Sequence, residues 1–401
     1  MRILRVDLYG VSLGELKGDD RRFDFAFSPE AFGTFGPNST VLSVAIPMAP
    51  RLPQHHARRR QNWFTELLPE GQFRDYLSVQ AGIYPQDSLS LLALYGLDVA
   101  GAVRIWDPSD EGRTVAPEEI PVTGKEIREF AEQPMRWPLG NSASLGKTSL
   151  AGVQPKILLS HHNGQWNRII GGAPSSHLVK PMLPAPRDHA IADEEYGLEL
   201  GRAAGLVTYE SWRDDFDGLS ALVIERYDRI DGERIHQEDF NQVLGASGAE
   251  KYQEYGGRVS LARIAQALTT NAPAHELQEL ARLVTFAVAI GNLDLHAKNI
   301  SLLHPKEGPI RLAPAYDCSP LAHRSDTDGR MAMSIDGEYR FEALTRTHLV
   351  NEMLSWGLRQ PDDLIQSVLE PLEEALSSDP PAHTHPVLHD FIRATMARLR
   401  G

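Results

Sequence analysis

The 401-residue chain has a single cysteine, Cys318, so no intrachain disulfide framework can form. A reducing compartment fits that usage. No uninterrupted apolar run approaches the roughly 20 residues that a membrane helix needs. The opening "MRILRVDLYG" lacks the long apolar stretch of a secretory leader and reads as a first β-strand. The expected location is therefore the cytoplasm, with no membrane partner. An excess of positive charge is missing too. The formal net charge is −14, which argues against a free-standing nucleic-acid binder with its basic footprint. One local exception, "RLPQHHARRR" at 51–60, reads as a solvated loop, with contact to a phosphate or an acidic partner as the alternative. Internal repeats and low-complexity tracts are absent as well.

What is present is enough apolar sequence, 42 %, to build sizeable cores, in a chain too long for one ordinary core. Residues 1–110 alternate strand-like runs ("ILRVDLYG", "TVLSVAIPM", "AGAVRIW") with helical ones ("FRDYLSVQAG", "SLSLLALYG") and read as a small α+β unit. The Pro-, Gly- and acid-rich "DPSDEGRTVAPEEIPVTG" marks a boundary. Residues 111–235 are mixed. "PKILLSHHNGQWNRII" predicts a hairpin turning at Asn163-Gly164, "SHLVKP" a short strand ending near Lys180, and "DHAIADEEYGLELGRAAGL" a helix stopped by Gly205. Residues 236–401 are mainly helical, interrupted by two short strands, "NISLL" and "IRLAPAYD". The expectation is a strand-rich front followed by a helical lobe, with a ligand cleft between.

The densest chemistry lies in "GNLDLHAKNISLL" (291–303). An apolar helix stops at Gly291-Asn292, and Asp294, His296, Lys298 and Asn299 follow before the chain turns apolar again. Asp317 comes after the next strand. A hairpin would bring Asp294, Asn299 and Asp317 together. Carboxylate and amide oxygens are the hard donors that Mg²⁺ prefers, and that ion takes few protein carboxylates. One acid is left to accept a proton, the arrangement of a kinase catalytic loop. Upstream, Lys180 is placed to neutralise nucleotide phosphates and Glu195 to hold Lys180. Glu225 and Tyr227 follow a strand, where a hinge would offer backbone groups to adenine. "SLAGVQPK" (149–156) could cover phosphates with backbone N–H groups. Two decoys fail. Gly146-Lys147-Thr148 ends like a Walker A motif, but position 141 is Asn where that motif needs Gly. "PAHTHP" (381–386) has no partner cluster at a metal-ligand spacing and reads as a surface loop.

Together "SLAGVQPK", "SHLVKP", "LVIERYDR", "GNLDLHAKN" and "APAYD" resemble the HipA family of serine/threonine kinases, toxins of bacterial toxin–antitoxin pairs. "VDLYGVSLGEL", "LLPEG" and "DVAGAVRI" are similar to that family's N-terminal subdomain. The resemblance implies a two-lobed, protein-kinase-like α+β fold with an N-terminal subdomain and a mainly helical C-terminal lobe, using ATP and Mg²⁺. It implies Asp294 as catalytic base with His296 beside it, Asn299 and Asp317 as metal ligands, and Lys180 on ATP phosphate. Glu225 and Tyr227 would lie at the adenine hinge, Gly152 and Val153 in the phosphate-covering loop, and Ser149 would be the self-inactivating autophosphorylation site. Ser142, Ser144 and Thr148 are alternative acceptors. The implied partners are a helix-turn-helix, HipB-like antitoxin, operator DNA through that antitoxin only, and a protein substrate such as an aminoacyl-tRNA synthetase. Two other readings stay open: a catalytically silent antitoxin-binding co-repressor, and an active kinase that is not a toxin.

Overall fold

Alternation sets the first strands. In β1 (Arg2–Leu8) Leu4, Val6 and Leu8 face inward, and in β2 (Val11–Gly18) Leu13 and Leu16 do. Tyr9-Gly10 joins them, both at positive φ (53° and 78°), a two-residue turn whose twist suits paired strands. With β3 (Phe23–Phe27) and β4 (Val103–Trp106) they form an antiparallel sheet in the order β3-β2-β1-β4. Four helices cover it: α1 (Pro29–Phe35), α2 (Ala57–Thr65), α3 (Gly71–Ala81) and α4 (Ser88–Tyr95). Trp63 and Phe64 of α2 are fully buried in this core. The computed structural model describes residues 1–110, 116–133, 156–230 and 232–401.

A second antiparallel sheet runs β5-β7-β6-β8-β10-β9. Its strands are β5 (Glu118–Pro121), β6 (Ile157–His162), β7 (Gln165–Ile170), β8 (His177–Pro181), β9 (Ser211–Phe216) and β10 (Leu219–Glu225). The hairpin expected at Asn163-Gly164 is present, with φ of 51° and 78°. Helix α5 (Gly124–Glu132) buries Ile127 and Phe130 against Val179 and Val223 of one face. Helix α6 (Ala190–Ala203) contacts β9 and β10.

A two-strand ribbon, β11 (Arg229–Ile230) with β12 (Glu233–Arg234), leads into the helical part. There β13 (His236–Asp239), β14 (Ser301–His304) and β15 (Arg311–Leu312) form a small sheet, and β16 (Arg330–Ile335) pairs with β17 (Glu338–Arg340). The helices are α7 (Phe240–Leu244), α8 (Leu261–Asn271), α9 (His275–Ile290), α10 (Arg346–Ser355), α11 (Pro361–Ala375) and α12 (Leu388–Arg400). Every residue of α9 from Leu283 to Ile290 is buried, as its neighbours α8, α11 and α12 require. Gly291 ends α9 in the left-handed conformation (φ 74°). A Cβ there would also sit 3.0 Å from Ala322 and from Phe391, so both backbone and space ask for glycine.

One expected strand does not form. "TVLSVAIPM" closes as a loop in which Asn38 N–H donates to the Met48 carbonyl and Met48 N–H to the Ser39 carbonyl (2.9 and 2.8 Å). Leu42 and its neighbour Ser43 are both buried, as are Ile46 and Met48, and two adjacent buried residues break strand alternation. The loop tip is held instead by the buried Glu238 carboxylate of β13, which accepts from Ser43 Oγ (2.5 Å), Val44 N–H (2.9 Å) and Trp63 Nε1 (2.8 Å). Likewise "IRLAPAYD" pairs only at Arg311 and Leu312.

Candidate active site

The loop after α9 is stitched by its own amides. Asn299 Nδ2 donates to the Asp294 carbonyl (2.9 Å), and Asn292 Oδ1 accepts from the Asp294 N–H (3.1 Å). Asn292 Nδ2 then donates to the Asp317 carbonyl (3.1 Å), tying the loop to the segment after β15. Asp317 itself takes a positive φ of 53°. The expected convergence of Asp294, Asn299 and Asp317 is therefore observed. The Asp294 and Asp317 side chains are 46 % and 47 % exposed, open to a cleft of about 830 Å³ that they line together with Lys180, Glu225 and Tyr227.

Lys180, next to last in β8, is buried and bridges two carboxylates: Glu194 of α6 at 2.6 Å and Asp317 at 2.8 Å. Here the sequence reading is corrected by one position. Glu195 does not meet Lys180; it points the other way along α6 and pairs with Arg213 of β9 at 2.6 Å. Successive helical residues lie about 100° apart, so only one of two adjacent glutamates can face the cleft. Burial disfavours the Lys180 ammonium, but Asp317 and Glu194 outweigh it and hold its pKa above the ordinary range. Lys180 in turn holds the Asp317 carboxyl well below the usual range. Asp294 moves the opposite way, pushed up to about 6 by desolvation in the cleft and by the charge of Asp317.

His296 is buried, with Nε2 3.8 Å from Asp294 Oδ1. Burial and the nearby Lys251 push its pKa down to about 3, so the imidazole is neutral at physiological pH. Tyr227 donates to Gln237 Oε1 (2.6 Å) and its ring packs between Tyr209 and Tyr316. Tyr316 OH reaches the Lys298 carbonyl (2.7 Å). Glu225 N–H donates to the Glu210 carbonyl (2.9 Å), which sets the chain at the mouth of the cleft. Ser149, Gly152 and Val153, with the alternative acceptors Ser142, Ser144 and Thr148, lie outside the described residues.

Residues 148–376 match the model of a HipA-like C-terminal domain, and residues 4–106 that of a HipA N-terminal domain. The chain is 27 % identical over 345 residues to the serine/threonine-protein kinase toxin HipA of Shewanella oneidensis, covering 81 % of this chain and 78 % of that one. This chain belongs to the HipA family of serine/threonine kinases. It is also 31 % identical over 351 residues to the Sinorhizobium fredii protein Y4mE, covering 84 % of this chain and 81 % of that one. Among solved structures, the Shewanella oneidensis MR-1 toxin–antitoxin complex of HipA, HipB and operator DNA aligns with a TM-score of 0.79 at 25 % identity, covering 98 % of this chain and 95 % of that one. The fold of this HipA-family kinase is thus the α+β, kinase-like one expected.

Other residues of the cleft escaped the sequence reading. Lys156 lines it just before β6. Burial and the neighbouring Lys180 push its ammonium down to about 8. Glu66 and Glu70, from the N-terminal unit, line it beside Lys251 and Tyr252. The "LLPEG" motif that contains Glu70 carried the family likeness but no hint of its place. As a donor set, Asp317 and Asn299 fit a hard cation: the Asn299 amide nitrogen is spent on the Asp294 carbonyl, leaving its oxygen to face an ion. Among the described residues no group of three or more His, Cys, Asp or Glu forms a metal cage. A partial set completed by phosphate oxygens is the Mg²⁺ pattern.

Proposed function

We propose that this kinase is of the toxin type. It transfers the γ-phosphoryl group of ATP to a Ser or Thr hydroxyl of a protein, with an aminoacyl-tRNA synthetase or another translation factor as the expected substrate class. A HipB-like helix-turn-helix antitoxin restrains it, and autophosphorylation at Ser149 switches it off. The observation that carries the catalytic reading is the Lys180 ammonium held between Glu194 and Asp317 in the cleft that Asp294 lines. In this reading Lys180 contacts nucleotide phosphate, Glu225 and Tyr227 border adenine, and Asp317 and Asn299 hold Mg²⁺. The bound ion neutralises charge on the phosphates. Asp294 accepts the hydroxyl proton as the substrate oxygen bonds to the γ-phosphorus and the bond to ADP breaks. A carboxyl pushed up to about 6 suits that task better than one at the ordinary value. His296, neutral and packed against the Tyr252 ring, shapes the loop that carries the base.

The likeness to a complex of HipA, HipB and operator DNA over nearly the whole chain supports the antitoxin as partner. With a net charge of −14, operator contact is assigned to the antitoxin. The test is Asp294→Asn, assayed for ADP release from MgATP. Turnover should fall about 10²–10⁴-fold with little change in melting temperature, and the variant should not arrest growth when expressed alone as the wild type should. Near-normal turnover would remove Asp294 from the role of base. Growth arrest by an inactive variant would remove toxicity from the kinase reaction.

A further inference from the structure

We propose that the N-terminal unit belongs to the catalytic centre, with Glu70 as a positioning residue that clamps both flanks of Asp294. The inference rests on the reading of Asp294 as base. Glu70 follows Pro69 at the start of α3, the position whose side chain usually caps a helix. It makes no such cap. Its carboxylate reaches across to the helical lobe instead, with one oxygen 2.7 Å from Lys298 Nζ and the other 2.9 Å from Lys251 Nζ.

Each lysine belongs to a different flank. Lys298 sits inside the Asp294–Asn299 loop; its ammonium is also held by Glu66 at 2.8 Å, and its carbonyl by Tyr316, next to Asp317. Lys251 precedes Tyr252, whose hydroxyl donates to Asp294 Oδ1 at 3.4 Å. Glu66 secures the same segment, accepting from Gly248 N–H at 3.1 Å. The loop 66–70 therefore fixes the spacing between the segment bearing Asp294 and the segment bearing the tyrosine that touches it. The Lys180–Glu194–Asp317 bridge shares none of these contacts. Both lysines are nearly buried, so a lost carboxylate leaves charge that water compensates poorly.

A geometric error near 1 Å at a reacting group costs on the order of 10²-fold. Glu70→Gln should lower the kcat of ADP release from MgATP by about 10–100-fold, leaving KM for ATP within about twofold and the calorimetric affinity for MgATP unchanged. Glu70→Asp, which keeps the charge on a shorter arm, should restore part of the loss. Unchanged kcat in Glu70→Gln would overturn the proposal. So would a joint loss of kcat, ATP affinity and melting temperature in both variants, which marks a purely structural residue. Asp294→Asn is run beside them. If it is inactive while Glu70→Gln is fully active, the base assignment stands and the clamp alone falls. If Asp294→Asn is active, the base assignment falls, and the clamp with it.

Discussion

At the scale of single residues the cleft separates what spacing tells from what only packing decides. Asp294, Asn299 and Asp317 were legible because a helix stop, a turn and a short hairpin leave few ways to arrange them. Glu194 against Glu195 was not. Almost the whole of α6 from Ile191 to Leu198 is buried, so no polar face marks the side that meets Lys180. The two glutamates now make opposite predictions. Glu194→Gln removes one of two charges holding a buried ammonium and leaves Lys180 drawn wholly to Asp317. MgATP affinity should fall about tenfold or more, since hydrogen bonds between buried charged groups contribute roughly 1.5–3 kcal/mol. Glu195→Gln disturbs only the pair with Arg213, which shares no atom with Lys180 or Asp317, and MgATP affinity should stay within about twofold. Titration calorimetry with MgATP on both variants checks the assignment; equal losses would contradict it. Glu66 and Glu70 were invisible because their partners lie far along the chain, 232 residues away for Glu66 and Lys298.

Elements were legible where a local rule governs them. The Asn163-Gly164 hairpin follows from the positive φ that both turn residues need. Asp217-Gly218 and Asp336-Gly337 close hairpins by the same rule, with φ of 56° and 85°, and 51° and 79°. Tyr9-Gly10 does so without the Asn or Asp that advertises it. The segment 40–48 misled because β-branched and apolar residues favour a strand only when neighbours pair with them, and its neighbour is a buried carboxylate. The approach of α6 to the cleft depends on one missing side chain. A Cβ on Gly197 would lie 1.8 Å from the Cys318 carbonyl oxygen and 3.3 Å from Pro320. Gly197→Ala, though favourable for an isolated helix by about 1 kcal/mol, must push α6 away from the segment that follows Asp317. The expected result is a lowered melting temperature and a clear loss of MgATP affinity, because Glu194 and Asp317 must both reach Lys180. Differential scanning calorimetry and nucleotide titration measure the two effects. Stabilisation with intact binding would show that α6 tolerates the shift.

Across the whole molecule, buried charges join the N-terminal unit to the rest. Asp98, fully buried, meets Arg229 at 3.0 Å and Arg234 at 2.7 Å, while Asp228 accepts from the Gly101 N–H at 2.7 Å. Burial alone would raise the Asp98 pKa, but Arg234, Arg229 and Arg226 keep it below the ordinary range. Asp98→Ala would leave Arg234 without its carboxylate and Arg226 and Arg229 with Asp228 alone, and should cost about 3–5 kcal/mol. A histidine on the same seam makes stability depend on pH. His236 Nε2 donates to the Leu42 carbonyl (2.7 Å), its ring lies 6.1 Å from Trp63 and 5.5 Å from His304, and its Nδ1 has no hydrogen-bond partner among the described residues. A second proton would be buried there without an acceptor. Burial, with His304 adding to it, pushes the His236 pKa down to about 4. The unfolded chain takes up this proton near pH 6.5, the native protein only near 4. Between those values the unfolded state binds more protons, so this residue's contribution to stability falls as pH falls, by up to about 1.4 kcal/mol per pH unit. Above pH 6.5 it contributes no slope. His236→Gln should lower stability at pH 7.5 through lost packing, yet its stability should depend less steeply on pH between 6.5 and 4 than the wild type's, by up to one proton. Urea denaturation at a series of pH values measures that difference. Parallel curves for the two proteins would mean that His236 is protonated as readily in the folded protein as in the unfolded chain.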